Sequence, residues 1–167
     1  MTDEPEFLLH PEPARARAAA DALFERIAAL LRSTLPAGAD IRHIGSTAVP
    51  GCQTKGDLDI VVRVVIEDFA TADAVLAARF PRNTGSVCTD TFAAFEDATT
   101  APHLGIQLVV IRSQFDDFHR FDAALRWDAS LVERYNALKI QFHGRPMDEY
   151  RVAKNAFIAE VLARNTE

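Results

Sequence analysis

The sequence predicts an α/β (α+β) fold in which a mixed half of about four strands is followed by a bundle of about three helices. Two observations predict it. Short β-branched runs alternate with turn residues and one strong helical stripe up to about residue 112, whereas the last third carries only helix-period apolar residues. Length agrees: 167 residues suit one domain, with a core large enough to need no disulfide or metal staple.

Taken in order, residues 1–13 read as an extended lead-in, restricted by Pro5, Pro11 and Pro13. Residues 14–35 read as an amphipathic helix: Ala20, Leu23, Phe24, Ile27, Leu30 and Leu31 recur at helical spacing, and Pro36 and Gly38 end it. Ile41–Ile44 reads as a strand. The stretch GSTAVPGCQTKGD is too rich in turn residues for regular structure, although Ser46–Val49 has room for one helical turn. Leu58–Ile66 is β-branched enough for a buried strand. A second helix is expected over 67–80, then a turn at Pro81–Gly85. Val87–Phe95 and Leu104–Ile111 are expected as a strand pair. The closing helices show three stripes: Phe115, Phe118, Phe121 and Leu125; Leu131, Tyr135, Leu138 and Phe142; and Tyr150, Ala153, Phe157, Val161 and Leu162. Their period marks them as core. Residues 14–167 are thus expected as one domain, with an α/β core over 14–112 and a helical part over 113–167.

Composition narrows the function. Hydrophobic residues at 49% and charged residues at 25% exclude a disordered or fibrous chain. Acidic residues outnumber basic ones, 24 to 18, for a net charge of −6, which argues against a nucleic-acid or anionic-membrane partner because phosphate neutralisation needs a basic face. Cys52 and Cys88 form no metal-binding spacing. MTDEPEFLLH shows no signal peptide, and no apolar run reaches the ~18 residues of a membrane span. A cytoplasmic location is the expectation.

The chemistry concentrates in His43-Ile44-Gly45-Ser46-Thr47 and Lys55-Gly56-Asp57-Leu58-Asp59. Side chains two apart on a strand share a face, ~7 Å apart, so Asp57 and Asp59 project together. Paired carboxylates repel unless a cation joins them. Mg²⁺ (or Mn²⁺) suits the pair, completing its shell with water and phosphate oxygens. The Gly45-Ser46 turn supplies the other half: glycine admits a phosphate close to the backbone, and a following helical turn aims N–H groups at an anion. Such parts serve phosphoryl or nucleotidyl transfer. Gly51-Cys-Gln-Thr-Lys-Gly56 imitates the start of a Walker A loop but has Asp57 where the lysine must stand, so a P-loop is rejected.

HIGSTAVPG followed by Lys-x-Asp-Leu-Asp resembles the GrpB-like family of the nucleotidyltransferase superfamily, whose wider pattern is Gly-Ser, about ten residues, then Asp-x-Asp. FDAALRWDASLVERYNALK and Tyr150, Lys154, Asn155, Phe157 and Ile158 in EYRVAKNAFIAEVL are similar to the family's closing helices. The resemblance covers about residues 20–164. It implies a nucleotidyltransferase-like mixed sheet flanked by helices. The residues read above and this resemblance together give the expectation of an NTP-binding site, with Asp57 and Asp59 as catalytic and metal-holding residues and Gly45, Ser46, Thr47 and Lys55 around the nucleotide.

Active members of the superfamily carry a third carboxylate on a later strand; Gln107 occupies that position here, with Glu96, Asp97 and Asp90 as substitutes nearby. Further cleft candidates are His43, His103, Arg126, Lys139 and Lys154. His43 reads first as a buried structural histidine; the resemblance favours one of Lys139 and Lys154, and in the same way Arg126, as a cleft residue. The expected function is metal-dependent nucleotidyl transfer to a small-molecule or protein acceptor. The alternative is a catalytically silent nucleotide-binding or regulatory module that partners a metabolic kinase such as dephospho-CoA kinase, a domain to which some similar proteins are fused.

Overall fold

A computed structural model describes residues 4–164. The elements run α1 (Pro13–Thr34), β1 (Asp40–Ile44), β2 (Leu58–Val64), α2 (Ile66–Ala77), β3 (Phe92–Asp97), β4 (Leu104–Val110), α3 (Phe118–Trp127), α4 (Ala129–Phe142) and α5 (Met147–Arg164). The four strands form one mixed sheet in the order β1-β2-β4-β3. β1 runs antiparallel to β2, β2 parallel to β4, and β4 antiparallel to β3.

Alternation along β2 divides the protein. Leu58, Ile60, Val62 and Val64 pack with Ile106 and Leu108 of β4 against Leu23 and Leu31 of α1 and Phe69 and Leu76 of α2. That face is the main core, and it accounts for the β-branched run: a strand covered by helices is buried along its length. On the opposite face, Val61, Ala94, Val109, Ile44 and Phe92 meet Phe115 and Phe118. Helices α3, α4 and α5 form a smaller core of their own around Tyr135, Phe157 and Val161. Asp59 lies on this second face, in register with Ile44 of β1 and Gly105 of β4.

The lead-in is tied down. Its Phe7 stacks on Tyr150 with ring centroids 3.7 Å apart. The Phe7 N–H donates to the Arg145 carbonyl and the His10 N–H to the Thr54 carbonyl, each over 2.8 Å.

The third strand departs from expectation. It begins at Phe92 rather than Val87 and runs on to Asp97. The reason is local hydrogen bonding: the Gly85 N–H is taken by Asn83 Oδ1 and the Thr91 N–H by Thr89 Oγ1, so this segment turns instead of pairing. Val87 is left exposed. Phe115 precedes α3 instead of lying on it, yet still packs against Phe92 at 4.9 Å. Ser46–Val49 forms linked turns, with the Ala48 N–H donating to the Gly45 carbonyl at 3.0 Å. No helix of the described residues is long and apolar enough to cross a membrane.

Candidate functional site

The second face of the sheet and helices α3–α5 enclose a cavity of about 650 Å³. Gly45, Ser46, Lys55, Asp57, Asp59, His103, Gln107, Lys139 and Lys154 all line it. The Gly-Ser turn and the acidic pair therefore share one crevice. Gly45 has φ +81°, a left-handed conformation that favours glycine. A Cβ at Gly45 would stand 2.8 Å from Asp59 Oδ2, and one at Gly105 would stand 3.0 Å from Asp59 Oδ1. Two glycines, one just past β1 and one on β4, thus make the room in which the Asp59 carboxylate sits.

Asp59 forms no hydrogen bond or ion pair among the described residues. Burial pushes its carboxyl above the ordinary value, assisted by the like charge of Asp57 and opposed chiefly by Lys154. Its residue surface is only half-buried, so the carboxylate is walled in by protein while its open side faces the cavity. Asp57 stands one residue ahead of β2 and is paired with Lys55, Nζ to Oδ2 3.1 Å. Lys154 lies on α5 without a hydrogen bond or ion pair among the described residues. Burial lowers its ammonium, and Asp59 is the main opposing influence.

The turn is committed in part. The Ser46 hydroxyl, expected to serve a ligand, donates to Thr54 Oγ1 at 2.9 Å. Thr47 is fully buried and outside the cavity lining; its hydroxyl donates to the Asp57 carbonyl at 2.8 Å and so ties the turn to the acidic segment. The backbone N–H of Ser46, which lines the cavity, donates no hydrogen bond among the described residues; Thr47, expected beside the nucleotide, is instead sealed beneath the turn.

Two further candidates lie elsewhere. His43 alternates onto the α1 side, stacked on Phe24 at 5.4 Å, with Nδ1 3.2 Å from Asp21 and Nε2 2.9 Å from the Thr47 hydroxyl. Strand alternation decides this: Ile44 takes the cavity face, so His43 cannot. Arg126 sits in a separate shallow depression and pairs back along its helix with Asp122 at 2.7 Å. Of the substitute acids, Glu96 lines the cavity, in register with Gly105 and 3.5 Å from His103; Asp97 is held by Thr99, and Asp90 is exposed in the preceding turn. No group of three described His, Cys, Asp or Glu side chains is placed to hold a metal unaided.

Lys139 is 1% exposed. Its Nζ donates to the Gln53 carbonyl at 2.6 Å and lies 3.8 Å from the centre of the Tyr135 ring. Burial lowers its ammonium to about 7. Beside it on α4, Asn136 accepts from the Gln53 N–H at 2.7 Å and donates to the Gly51 carbonyl at 2.9 Å. Sequence reasoning missed Asn136, and Phe7, which lines the cavity from the lead-in. Asn136 looks like a solvated helix residue until α4 is known to run beside the loop. For Phe7 a signal was present: an apolar FLL triplet in an otherwise polar segment.

A model of the family described as GrpB protein matches residues 14–164. A UPF0157 protein of Vibrio cholerae serotype O1 is 33% identical over 149 residues, 89% of this chain and 78% of that protein. The crystal structure of the conserved protein GrpB from Enterococcus faecalis shares the fold, with a TM-score of 0.69 at 22% identity over 89% of this chain and 96% of that one. The Cid1 poly(U) polymerase with Mg and 3′-dATP bound gives a TM-score of 0.48 at 12% identity, over 74% of this chain and 40% of that one.

Proposed function

The chain belongs to the GrpB family, and on that premise we propose that it binds a nucleoside triphosphate with Mg²⁺ or Mn²⁺ in this cavity and transfers its nucleotidyl group to a small-molecule or protein acceptor. One observation carries the reading: the Gly45-Ser46 turn closes directly on an Asp59 carboxylate that has no partner among the described residues, and both open into the same cavity.

The side chains fit such a metal as partners of a phosphate. Asp59, with no competing hydrogen bond, and Asp57 would hold it; the remaining ligand positions fall to water and phosphate oxygens, as Mg²⁺ prefers. When bound, the ion supplies charge neutralisation to the reacting phosphate. Gly45 lets the backbone approach the phosphate chain, and the Ser46 N–H donates to it, while Thr47 holds the turn from beneath. Lys154 and Lys55 add positive charge from the opposite wall, which is where a leaving pyrophosphate gains from a cation. For Lys55 this means leaving Asp57, whose carboxylate is thereby freed. Excluding water from the crevice is the task of Phe115, Phe118 and Phe121, which line it from the α3 side.

Titration calorimetry with MgATP tests the site. Wild type is expected to bind saturably, and folded Asp59→Ala to lose at least about 2 kcal/mol of binding, the scale of removing one partner of a charged contact. Unchanged binding by the variant rejects the assignment. A second reading, a silent binding module, is favoured by Gln107, a neutral amide on the strand where an acid would serve. Labelled NTP, Mn²⁺ and cell extract separate the two: pyrophosphate release supports transfer, and binding without release supports the module.

A further inference from the structure

The segment from Val49 to Asp57 crosses between α1 and α4 with no regular backbone pairing of its own. Apart from the Cys52 N–H to Val49 carbonyl and His10 N–H to Thr54 carbonyl bonds, several of its polar backbone groups are met by side chains. From α4, Asn136 takes the Gln53 N–H and the Gly51 carbonyl, while Lys139 takes the Gln53 carbonyl. From α1, Arg17 donates to the Val49 and Cys52 carbonyls at 3.1 and 3.4 Å. Farther along, Thr54 Oγ1 accepts from the Gly56 N–H at 3.0 Å as well as from the Ser46 hydroxyl, which joins this segment to the Gly-Ser turn.

We infer that Asn136 and Lys139 are positioning residues: together they fix residues 51–53 and so hold Lys55 and Asp57 opposite the Gly45-Ser46 turn. Neither side chain contacts Asp57. Their three bonds end two residues before Lys55, and Gly51 and Gly56, both with positive φ, would otherwise leave this segment with pliable ends. The choice of lysine is informative. An ammonium buried against the Tyr135 ring is an expensive way to fill space. Its return is a charge-assisted hydrogen bond to one carbonyl of the acidic segment. The inference rests on the nucleotide reading only for its effect on ligand binding; the restraint of the segment stands apart from it.

The test compares wild type with Lys139→Met, Asn136→Ala and, as a control on the other face of the sheet, Leu76→Ala. NMR reads amide exchange at Gln53 and Gly56 and the ¹³C signal of the Asp57 carboxyl; calorimetry reads binding of inorganic tripolyphosphate with Mg²⁺. Methionine keeps the stem's packing and removes the buried charge, so Lys139→Met is expected to match or exceed wild type in Tm. It is nonetheless expected to exchange the Gly56 amide about fivefold faster, the worth of one hydrogen bond, to shift the Asp57 signal and to weaken tripolyphosphate. Asn136→Ala should do the same. Leu76→Ala should lower Tm with the Asp57 signal unmoved. Unchanged Gly56 exchange and Asp57 signal in both α4 variants overturn the inference. If wild type fails to bind tripolyphosphate, the nucleotide reading falls while the exchange and carboxyl results still decide the restraint.

Discussion

Gly45→Ala probes the placement on which the site depends. Two costs add. Alanine at φ +81° pays about 1–2 kcal/mol for the left-handed conformation. Its Cβ would then meet Asp59 Oδ2 at 2.8 Å and Asp59 Cβ at 3.3 Å. The carboxylate cannot simply swing aside, because its other oxygen already occupies the space a side chain at Gly105 would need. Overpacking of this kind costs about 1–3 kcal/mol. Gly144 isolates the first cost, since it has φ +80° and nothing within 4 Å of its Cβ position. Urea unfolding should therefore show Gly144→Ala destabilised by about 1 kcal/mol, after allowing for the stiffer unfolded chain, and Gly45→Ala by about 3 kcal/mol. Adding Asp59→Ala to Gly45→Ala should recover about 1–2 kcal/mol as a coupling in the double-mutant cycle. Additivity within about 0.5 kcal/mol would mean that the turn does not abut Asp59, and the candidate site would lose its centre.

Away from the cavity, Arg63 is gripped by Asp116 at 2.6 and 2.8 Å and by Asp40 at 2.9 Å. Asp116→Ala should cost about 2 kcal/mol in urea unfolding, because it removes two charged hydrogen bonds from a largely buried guanidinium and leaves Asp40 alone to hold it. Against the opposing effect of burial, Arg63 holds the Asp116 carboxyl below the ordinary 3.8, and Arg42 followed by Arg63 does the same for Asp40. Their stabilisation is therefore complete above that value and lost as pH falls through their lowered values. Lys139 acts at the other end of the scale. Its ammonium falls from 10.5 to about 7 on folding, so its contribution is complete above pH 10.5 and lost as pH falls toward 7. Stability should rise between those limits in a pH series of melting curves, and Lys139→Met should flatten the rise.

Most of the frame was legible because its signals are redundant. In β2 the run LDIVVRV is apolar on both faces except at Asp59 and Arg63, so the sequence announced both a buried strand and its exceptions. The Asp-x-Asp spacing and the Gly-Ser turn came together as expected, because antiparallel pairing of β1 with β2 sets Ile44 opposite Asp59. Where local chemistry competed, the reading failed. Val87 to Thr91 alternates plausibly for a strand, but side-chain oxygens of Asn83 and Thr89 captured its neighbours' amides. His43 was ambiguous because alternation gives two faces and only the pairing register chooses between them. Asn136 and Lys139 were illegible in their role, since it depends on a backbone 80-odd residues away.

The stacking of Phe7 on Tyr150 has a practical corollary. The family match begins at residue 14, and a tidy expression boundary drawn there would delete one wall of the cavity along with the strap that caps the Thr54 carbonyl. A trimmed protein would lose Phe7 from its cluster with Met147 and Tyr150, so it should melt lower than the intact chain and present a cavity short of one lining side chain. Screening should begin upstream of Pro5, with any purification tag placed at the other end.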